Sequence, residues 1–180
     1  SVETYEDFAI DNIGEWTMVD RDYDFTYRIN KDLETYPNES DPKAFQVCNA
    51  KSLGIDIWPE GTPHSGNKFF MAMANISYVN NDWMISPQLN GTSQVISFFA
   101  KAFTTQNGTT ERMRVLYSTT DTDPAHFVQV SRGDYIELPE TWTEYSFRLP
   151  EGAKYFAINC VSPGGEQSFA LFVDDLTFND

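Results

Sequence analysis

Three aspartates at alternate positions are the residues whose type and spacing come nearest to a recognisable chemistry. Asp20, Asp22 and Asp24 form a D-x-D-x-D run in "VDRDYDF". Alternate residues of an extended loop can turn their oxygens to one side, and hard cations such as Ca²⁺ prefer carboxylate oxygens. The run therefore predicts either a calcium loop or a solvated acidic loop. It is not an EF-hand, because Phe25 stands where the sharp turn of that motif needs glycine.

Acidic residues also lie close to the two ends of the chain. In "YEDFAI" Glu6 shares a strand face with Phe8, and in "FALFVDDLTF" Asp174 shares one with Phe172, Leu176 and Phe178. If the first and last strands are neighbours, the two carboxylates meet near the core edge, where a cation would offset their repulsion. The other face of the last strand is apolar too, so either Asp174 or Asp175 points inward.

Nucleophilic or acid–base catalysis finds little support in the sequence. His64 and His126 lie in loop-like segments, with no GxSxG elbow and no cysteine at a recognisable spacing. A glycosidase needs only two suitably spaced carboxylates, and no pair recommends itself in so acidic a chain. We therefore predict that the chain is not an enzyme, with a small glycan-active enzyme as the alternative.

Aromatic residues on loops are the candidates for ligand binding. Trp58, in "IDIWPEGTP", lies in a loop, whereas Trp16, Trp83 and Trp142 lie in or beside strand-like segments and are expected in the core. An exposed tryptophan next to a ring such as Tyr36 offers a flat apolar face to a sugar. Trp58 and Tyr36 are the predicted ligand-binding residues, although loop tryptophans also pack as plugs.

These residues must be positioned by strands, because apolar residues recur with period two and helical periodicity is almost absent. A single sheet of so many strands would leave its faces uncovered. We predict one all-β domain over residues 1–180, a two-sheet β-sandwich or jelly roll. The candidate strands are Tyr5–Ile10, Trp16–Asp20, Phe45–Ala50, Lys68–Ala74, Asp82–Ile85, Gln94–Phe103, Glu111–Ser118, Phe127–Val130, Thr143–Leu149, Lys154–Val161 and Phe169–Phe178.

Composition excludes two classes of partner. The chain carries 27 acidic and 12 basic residues and a net charge of −15, so it would repel a phosphate backbone. No apolar run approaches the length of a membrane span.

Cys48 and Cys160 are far apart and lie in strand-like segments, which predicts either two buried thiols or one long-range disulfide.

The order of the motifs along the chain resembles that of a known family. "YEDFAI", "GEWTMVDRDYD", "HSGNKFFMA", "NDWMISPQL", "VISFFAKAF", "ERMRVLYSTT", "WTEYSFRLP", "KYFAINC" and "FVDDLTF" follow one another over nearly the whole chain. Together they resemble the cleaved adhesin domain, the haemagglutinin and adhesin module of gingipain proteases, and the related choice-of-anchor domains of secreted Bacteroidetes proteins. In "NDWMISPQL" the resemblance makes Asp82 a turn cap, Trp83 and Ile85 buried residues, and Pro87 the end of the pairing.

This resemblance implies a galactose-binding-like or MAM-like jelly roll that is exported, stabilised by Ca²⁺ and located outside the cell or on its surface. It implies a non-catalytic module of a larger exported protein that binds a glycan or an extracellular protein; a structural spacer is the further alternative. The sequence departs from the family pattern at Tyr23, where glycine is usual, and at Ala9, where a second acid is usual. The metal ligands that the resemblance implies are Glu6, Asp20, Asp22, Asp24, Asp174 and Asp175.

Overall fold

Two antiparallel sheets form the architecture that the sequence predicts. The structure is a computed structural model and describes residues 1–29, 35–104 and 109–179. Within these ranges one sheet contains six strands and the other five, which confirms the predicted all-β sandwich. The strands are β1 (Thr17–Asp20), β2 (Phe45–Asn49), β3 (Lys68–Met73), β4 (Asp82–Ile85), β5 (Gln94–Phe103), β6 (Arg112–Ser118), β7 (Val128–Gln129), β8 (Ile136–Glu137), β9 (Thr143–Leu149), β10 (Tyr155–Cys160) and β11 (Ala170–Thr177).

Each sheet draws its strands from distant parts of the chain. The first sheet has the order β1-β4-β10-β6-β7, with β8 also paired to β6, and the second has the order β2-β3-β11-β5-β9. The helical elements are short: α1 (Ala50–Leu53) and 3-10 turns at Val2–Thr4, Pro59–Gly61, Pro124–His126 and Gly165–Gln167. None of the helices in the described ranges has the length and apolar character needed to cross a bilayer.

Alternation along β5 and β9 decides which side chains fill the space between the sheets. Ile96 and Phe98 of β5 lie opposite Phe147 and Tyr145 of β9, and all four belong to the main core cluster. Ser146, between the two aromatic residues, is exposed. The alternation of "TEYSFRL" thus places one face of β9 against the core and the other in solvent, and the candidate strand Thr143–Leu149 is confirmed.

The outer face of the five-stranded sheet is apolar as well, because irregular segments cover it. Phe69, Phe103 and Phe172 form a second buried cluster there, with the rings of Phe103 and Phe172 4.9 Å apart. Tyr36 and Ile55, from the covering segments, are buried against it. This cover explains why "VISFFAKAF" and "FALFV" are apolar on both faces.

The N-terminal segment differs from its prediction. Residues 5–10 do not form a strand, although the N–H of Phe8 donates to the carbonyl of Val47 (2.8 Å) and the N–H of Val47 to the carbonyl of Ala9 (3.0 Å). The segment thus runs along the outer edge of β2, while β11 lies between β3 and β5. The first and last strands are therefore not neighbours, and the condition under which Glu6 would meet the closing acids is not fulfilled.

A bulge in β11 separates residues that the simple alternation placed together. Asp175 has a φ of 49°, and the register against β5 shifts between Asp174 and Thr177. Asp174 lies opposite Phe99 on the outer side, whereas Leu176 packs against the main core. A bulge inserts one extra residue and reverses the alternation, so the prediction that Asp174 and Leu176 share a face was wrong.

The two cysteines do not pair. Cys48 and Cys160 are both free and buried. Cys48 belongs to the outer cluster of the five-stranded sheet, whereas Cys160 belongs to the core between the sheets. Of the two alternatives left by the sequence, the structure has the buried thiols.

Candidate functional site

Three aspartates converge where β1 meets β4. Asp20 ends β1 and lies opposite Asp82, the first residue of β4, and Asp22 follows in the loop after β1. One carboxylate oxygen of each residue lies within 4.8 Å of the corresponding oxygens of the other two. Strand pairing therefore brings together two acids of the D-x-D-x-D run and a third that is distant in sequence.

Backbone and amide donors fix these carboxylates but leave a fully buried oxygen of Asp82 without a donor among the described residues. Asp20 Oδ1 accepts hydrogen bonds from the N–H groups of Asp22 (3.1 Å) and Tyr23 (3.0 Å), and Asp22 Oδ2 accepts one from Asn81 (2.7 Å). Asp82 Oδ2 accepts one from Asn80 Nδ2 (2.7 Å). Asp82 Oδ1 has no hydrogen-bond donor in the part of the chain that the structure describes, and the residue is 0% exposed.

The electrostatics of this cluster are unfavourable without a positive charge. Burial and the charge of Asp22 raise the pKa of Asp82 well above its usual range, and burial also raises the pKa of Asp20. The three carboxylates take part in none of the ion pairs among the described residues. A buried carboxylate oxygen that has neither a donor nor a direct countercharge among the described residues, beside two further carboxylates, suits a hard cation, so these residues fit Ca²⁺.

The nearest buried cation is used elsewhere. The ammonium group of Lys43 donates to the hydroxyl of Thr26 (2.8 Å) and to the carbonyls of Asn38 (2.8 Å) and Glu39 (2.9 Å). Burial lowers the pKa of Lys43 to about 8, although Asp82 and other acids favour its charged form. Lys43 therefore supports the neighbouring loop and leaves the carboxylate cluster without a direct partner.

Asp24, the third acid of the predicted run, has another role. Its Oδ2 accepts hydrogen bonds from the N–H groups of Ser77 (2.8 Å) and Tyr78 (3.0 Å), and its Oδ1 accepts one from Phe25 (2.9 Å). Both oxygens are thus occupied by backbone donors. Asp82 takes its place in the cluster. The sequence interpretation of Asp82 as a turn cap missed this role, and the only available signal was an acid at the start of a buried strand.

The acids near the termini do not form the predicted group. Glu6 is exposed, and it is Glu3 of the first 3-10 turn that lines a cavity of about 340 Å³ together with Asp174 and Asp175. Glu3 Oε1 accepts hydrogen bonds from the N–H groups of Asn67 (2.8 Å) and Lys68 (2.8 Å). The N-terminal acid nearest the closing pair is therefore Glu3, because residues 5–10 run along β2.

Asp174 and Asp175 fasten a loop. Asp174 Oδ2 accepts hydrogen bonds from the N–H groups of His64 (3.0 Å) and Ser65 (3.2 Å), and burial raises its pKa to about 6. Asp175 bonds to the His64 ring (2.6 Å) and to the Ser65 hydroxyl (2.6 Å). The His64 ring also stacks on Phe99 at 3.6 Å. These contacts hold the His64 ring between Asp175 and Phe99.

The same loop carries Trp58 across the outer face of the five-stranded sheet. Trp142, predicted in the core, is half-buried on this face and donates from Nε1 to the carbonyl of Thr62 (2.9 Å). The buried ammonium group of Lys101 donates to the carbonyl of Glu60. Trp58 remains 44% exposed, whereas Tyr36 is 5% exposed and stacks on Phe8 at 5.0 Å. Tyr36 is therefore not available to a ligand, and Trp58 lacks the predicted ring beside it.

Comparison with solved structures identifies the fold. No protein-family model matches the sequence, and no curated protein sequence is significantly similar to it. The K2 cleaved adhesin domain of Lys-gingipain is 17% identical, with 99% of this chain and 96% of that chain covered and a TM-score of 0.70. The K1 domain, from Porphyromonas gingivalis W83, is 18% identical, with coverage of 93% and 92% and a TM-score of 0.63.

A carbohydrate-binding module has a related structure. TmCBM61, solved in complex with β-1,4-galactotriose, is 11% identical, with 93% of this chain and 90% of that chain covered and a TM-score of 0.52. These neighbours are named as adhesin domains and a carbohydrate-binding module. The chain has the fold of the cleaved adhesin domains, as the resemblance of its motifs predicted.

Proposed function

We propose that the chain is a non-catalytic binding module of an exported, adhesin-type protein, that its ligand is a glycan, and that Ca²⁺ stabilises its fold. The single observation that supports the calcium part is Asp82, whose buried Oδ1 has no donor among the described residues and whose carboxylate lies beside two others. Bound Ca²⁺ would supply the missing positive charge. Asp20, Asp22 and Asp82 would hold it.

The position of these residues gives the cation a structural role. Asp20 and Asp82 lie on paired strands, and Asp22 lies on the loop that donates and accepts hydrogen bonds with Asn81. A cation shared by the three would tie β1, β4 and this loop together. An ion that binds only the folded chain stabilises it by mass action.

Glycan binding is supported by several observations of different kinds. The fold is shared with a carbohydrate-binding module solved with a galactotriose, and with domains of a larger protein, Lys-gingipain. The net charge of −15 disfavours polyanionic partners. Export and a place in a larger protein follow from the family resemblance. Trp58 is partly exposed on a fastened loop, so the contact that the sequence predicts there is an alternative to be tested against the other exposed rings.

Two measurements test the proposal. Titration calorimetry should detect one Ca²⁺ bound by the wild-type chain and by Asp174→Asn, and none bound by Asp82→Asn. When the chain is incubated with a panel of polysaccharides, it should bind at least one polymer and release no new reducing ends from any of them. A cation bound equally by Asp82→Asn would refute the site, and sugar release that survives exhaustive purification would replace the binding module with an enzyme.

A further inference from the structure

Five large apolar side chains are exposed on two neighbouring segments beside the cation site. Tyr23 is 77% exposed, Phe25 60% and Tyr78 68%, and Ile76 and Val79 accompany them. These five residues, called the aromatic patch below, are half of the ten large hydrophobic residues found exposed among the described residues. Such a concentration of exposed rings on a soluble domain is typical of an interaction site.

Backbone and carboxylate hydrogen bonds join the two segments into one surface. Thr26 and Asn75 form an antiparallel bridge, and the N–H of Ile76 donates to the carbonyl of Phe25 (2.9 Å). Phe25 and Ile76 are therefore neighbours across the bridge, on the side opposite to the buried pair. Asp24 adds the bonds to Ser77 and Tyr78 that were described above.

The backbone beneath the patch is held from behind by the loop after β10. The N–H of Gly165 donates to the carbonyl of Asn75 (2.8 Å), and the N–H of Asn80 donates to the carbonyl of Ser162 (2.9 Å). A side chain at Gly164 would collide with the carbonyl oxygen of Tyr78. Rings carried on a fixed backbone lose little freedom when a ligand binds, which favours recognition by a small surface.

The chemistry of the patch selects an uncharged sugar. Tyrosine and phenylalanine rings present apolar faces to the C–H groups of a sugar, and the tyrosine hydroxyls add donors and acceptors. Asp20 and Asp24 accept hydrogen bonds from the backbone N–H groups of Tyr23 and Tyr78, so their carboxylates lie close to the backbone that carries these rings, and their negative charge disfavours sulfated or carboxylated sugars. Five side chains are also fewer than the roughly 20 to 30 residues that each partner contributes to a stable protein–protein interface.

We infer that the aromatic patch is the surface on which this chain binds an uncharged oligosaccharide, an inference that rests on the proposed function and assigns its contact residues. Tyr23 and Tyr78, the most exposed rings, are the principal stacking residues. The sugar thus lies on the loops next to the proposed cation site and not on the Trp58 loop.

The test compares three variants with the wild-type chain: Tyr23→Ser/Tyr78→Ser, Tyr23→Phe/Tyr78→Phe, and Trp58→Ala. Affinity gel electrophoresis in uncharged galactan, xylan, mannan and β-glucan, and in anionic polygalacturonate and heparin, measures the retention of each protein. We expect an uncharged polymer to retain the wild type, with affinity about tenfold or more lower for the serine variant. The phenylalanine variant keeps the ring faces and loses only the hydroxyls, so it should bind more tightly than the serine variant. Trp58→Ala should bind like the wild type, and thermal unfolding should confirm that each variant is folded.

Other outcomes overturn the inference in distinguishable ways. Binding that survives in the serine variant and disappears in Trp58→Ala would move the site to the other loop and leave the proposed function intact. Retention only in the anionic polymers would contradict the expected sugar class. A wild-type dimer that the serine variant converts to a monomer in sedimentation would make the patch a protein interface. If no polymer retains the wild type, glycan binding itself fails, and the inference fails with it.

Discussion

Two acidic clusters in this molecule differ in what surrounds their oxygens. At the junction of β1 and β4, Asp82 is fully buried, and one of its carboxylate oxygens has no donor within the described residues. In β11, Asp174 is almost as buried, at 1% exposed, but its oxygens accept hydrogen bonds from the N–H groups of His64, Ser65 and Asp175.

This difference teaches that the number of acids is a poor guide to a cation site. Backbone N–H groups already stabilise the charge of Asp174, so that a cation has little to add there. Asp82 combines a free oxygen with two neighbouring carboxylates, which makes a cation the more favourable partner. The first cluster is a candidate cation site. The second, called the loop clasp below, consists of Asp174 and Asp175 and holds the loop at His64 and Ser65 in place.

The largest expected effect on stability comes from removing the Asp174 carboxylate of the loop clasp. Asp174→Ala leaves the N–H groups of His64 and Ser65 without their acceptor, and the loss of acceptors for partly buried donors costs about 1–3 kcal/mol each. We expect the free energy of unfolding in urea to fall by about 2–4 kcal/mol, equally in chelator and in Ca²⁺. A loss that appears only in Ca²⁺ would mean that Asp174 is a cation ligand.

The next effect depends on the cation and concerns Asp82. Calcium at a hundredfold excess over its dissociation constant should stabilise the wild type by about 2.7 kcal/mol. Asp82→Asn removes one buried charge, so in chelator it should be at least as stable as the wild type, and it should gain nothing from Ca²⁺. Differential scanning calorimetry in both solutions measures this, and a calcium response that persists in the variant contradicts the comparison.

Glu111 sharpens the comparison, because it has donors but belongs to none of the ion pairs found among the described residues. Its oxygens accept from the Ser162 hydroxyl (2.7 Å) and the Phe169 N–H (2.7 Å), yet burial raises its pKa to about 8 from an ordinary 4.5. The folded state therefore holds the proton more tightly than the unfolded state. This contribution to stability is complete below pH 4.5 and decreases as the pH rises to about 8.

The decrease should amount to at most about 1.4 kcal/mol for each pH unit in that window. Glu111→Gln keeps an acceptor for the Phe169 N–H, presents an amide N–H to the Ser162 hydroxyl in place of the acceptor oxygen, and cannot ionise. Chemical unfolding between pH 5 and about pH 8 should therefore show a smaller decrease for the variant than for the wild type. Parallel curves for the two proteins would show that Glu111 does not titrate in this range.

The smallest expected effect is that of replacing Trp58, which lies in the loop that the loop clasp holds. Trp58 is partly exposed, and the described contacts that fasten its loop are made by His64, Ser65, Trp142 and Lys101. Trp58→Ala should therefore lower the free energy of unfolding by less than about 1 kcal/mol. A loss of about 3–5 kcal/mol, as for a buried aromatic residue, would show that Trp58 is a plug and helps to hold the loop in place.

Local patterns predicted the strands well where each residue's neighbours in sequence determine its environment. The candidate strands Asp82–Ile85, Gln94–Phe103 and Thr143–Leu149 coincide with β4, β5 and β9. The expected burial of Trp83 and Ile85 is confirmed as well. Alternation and turn residues suffice there, because one strand face is buried and the other is not, or because both are covered.

The site depended on information that local patterns do not contain. Asp82 joins Asp20 only because β1 and β4 pair in a particular register, and 62 positions separate the two residues. The bulge at Asp175 changed the side on which Leu176 lies. The exposure of Tyr23 and Tyr78 follows from the packing of three loops, so no period in the sequence could separate these rings from core residues.

The two buried thiols have a practical consequence for following how the molecule opens. Cys48 lies beneath the segments that cover the five-stranded sheet, and Cys160 lies between the sheets. Burial raises the pKa of both thiols, so an alkylating reagent can attack each only after its surroundings open. The labelling rate of Cys48 therefore reports detachment of the outer cover, and that of Cys160 reports separation of the sheets. Labelling of the unmodified protein can thus follow two opening events separately, one at the outer cover and one between the sheets.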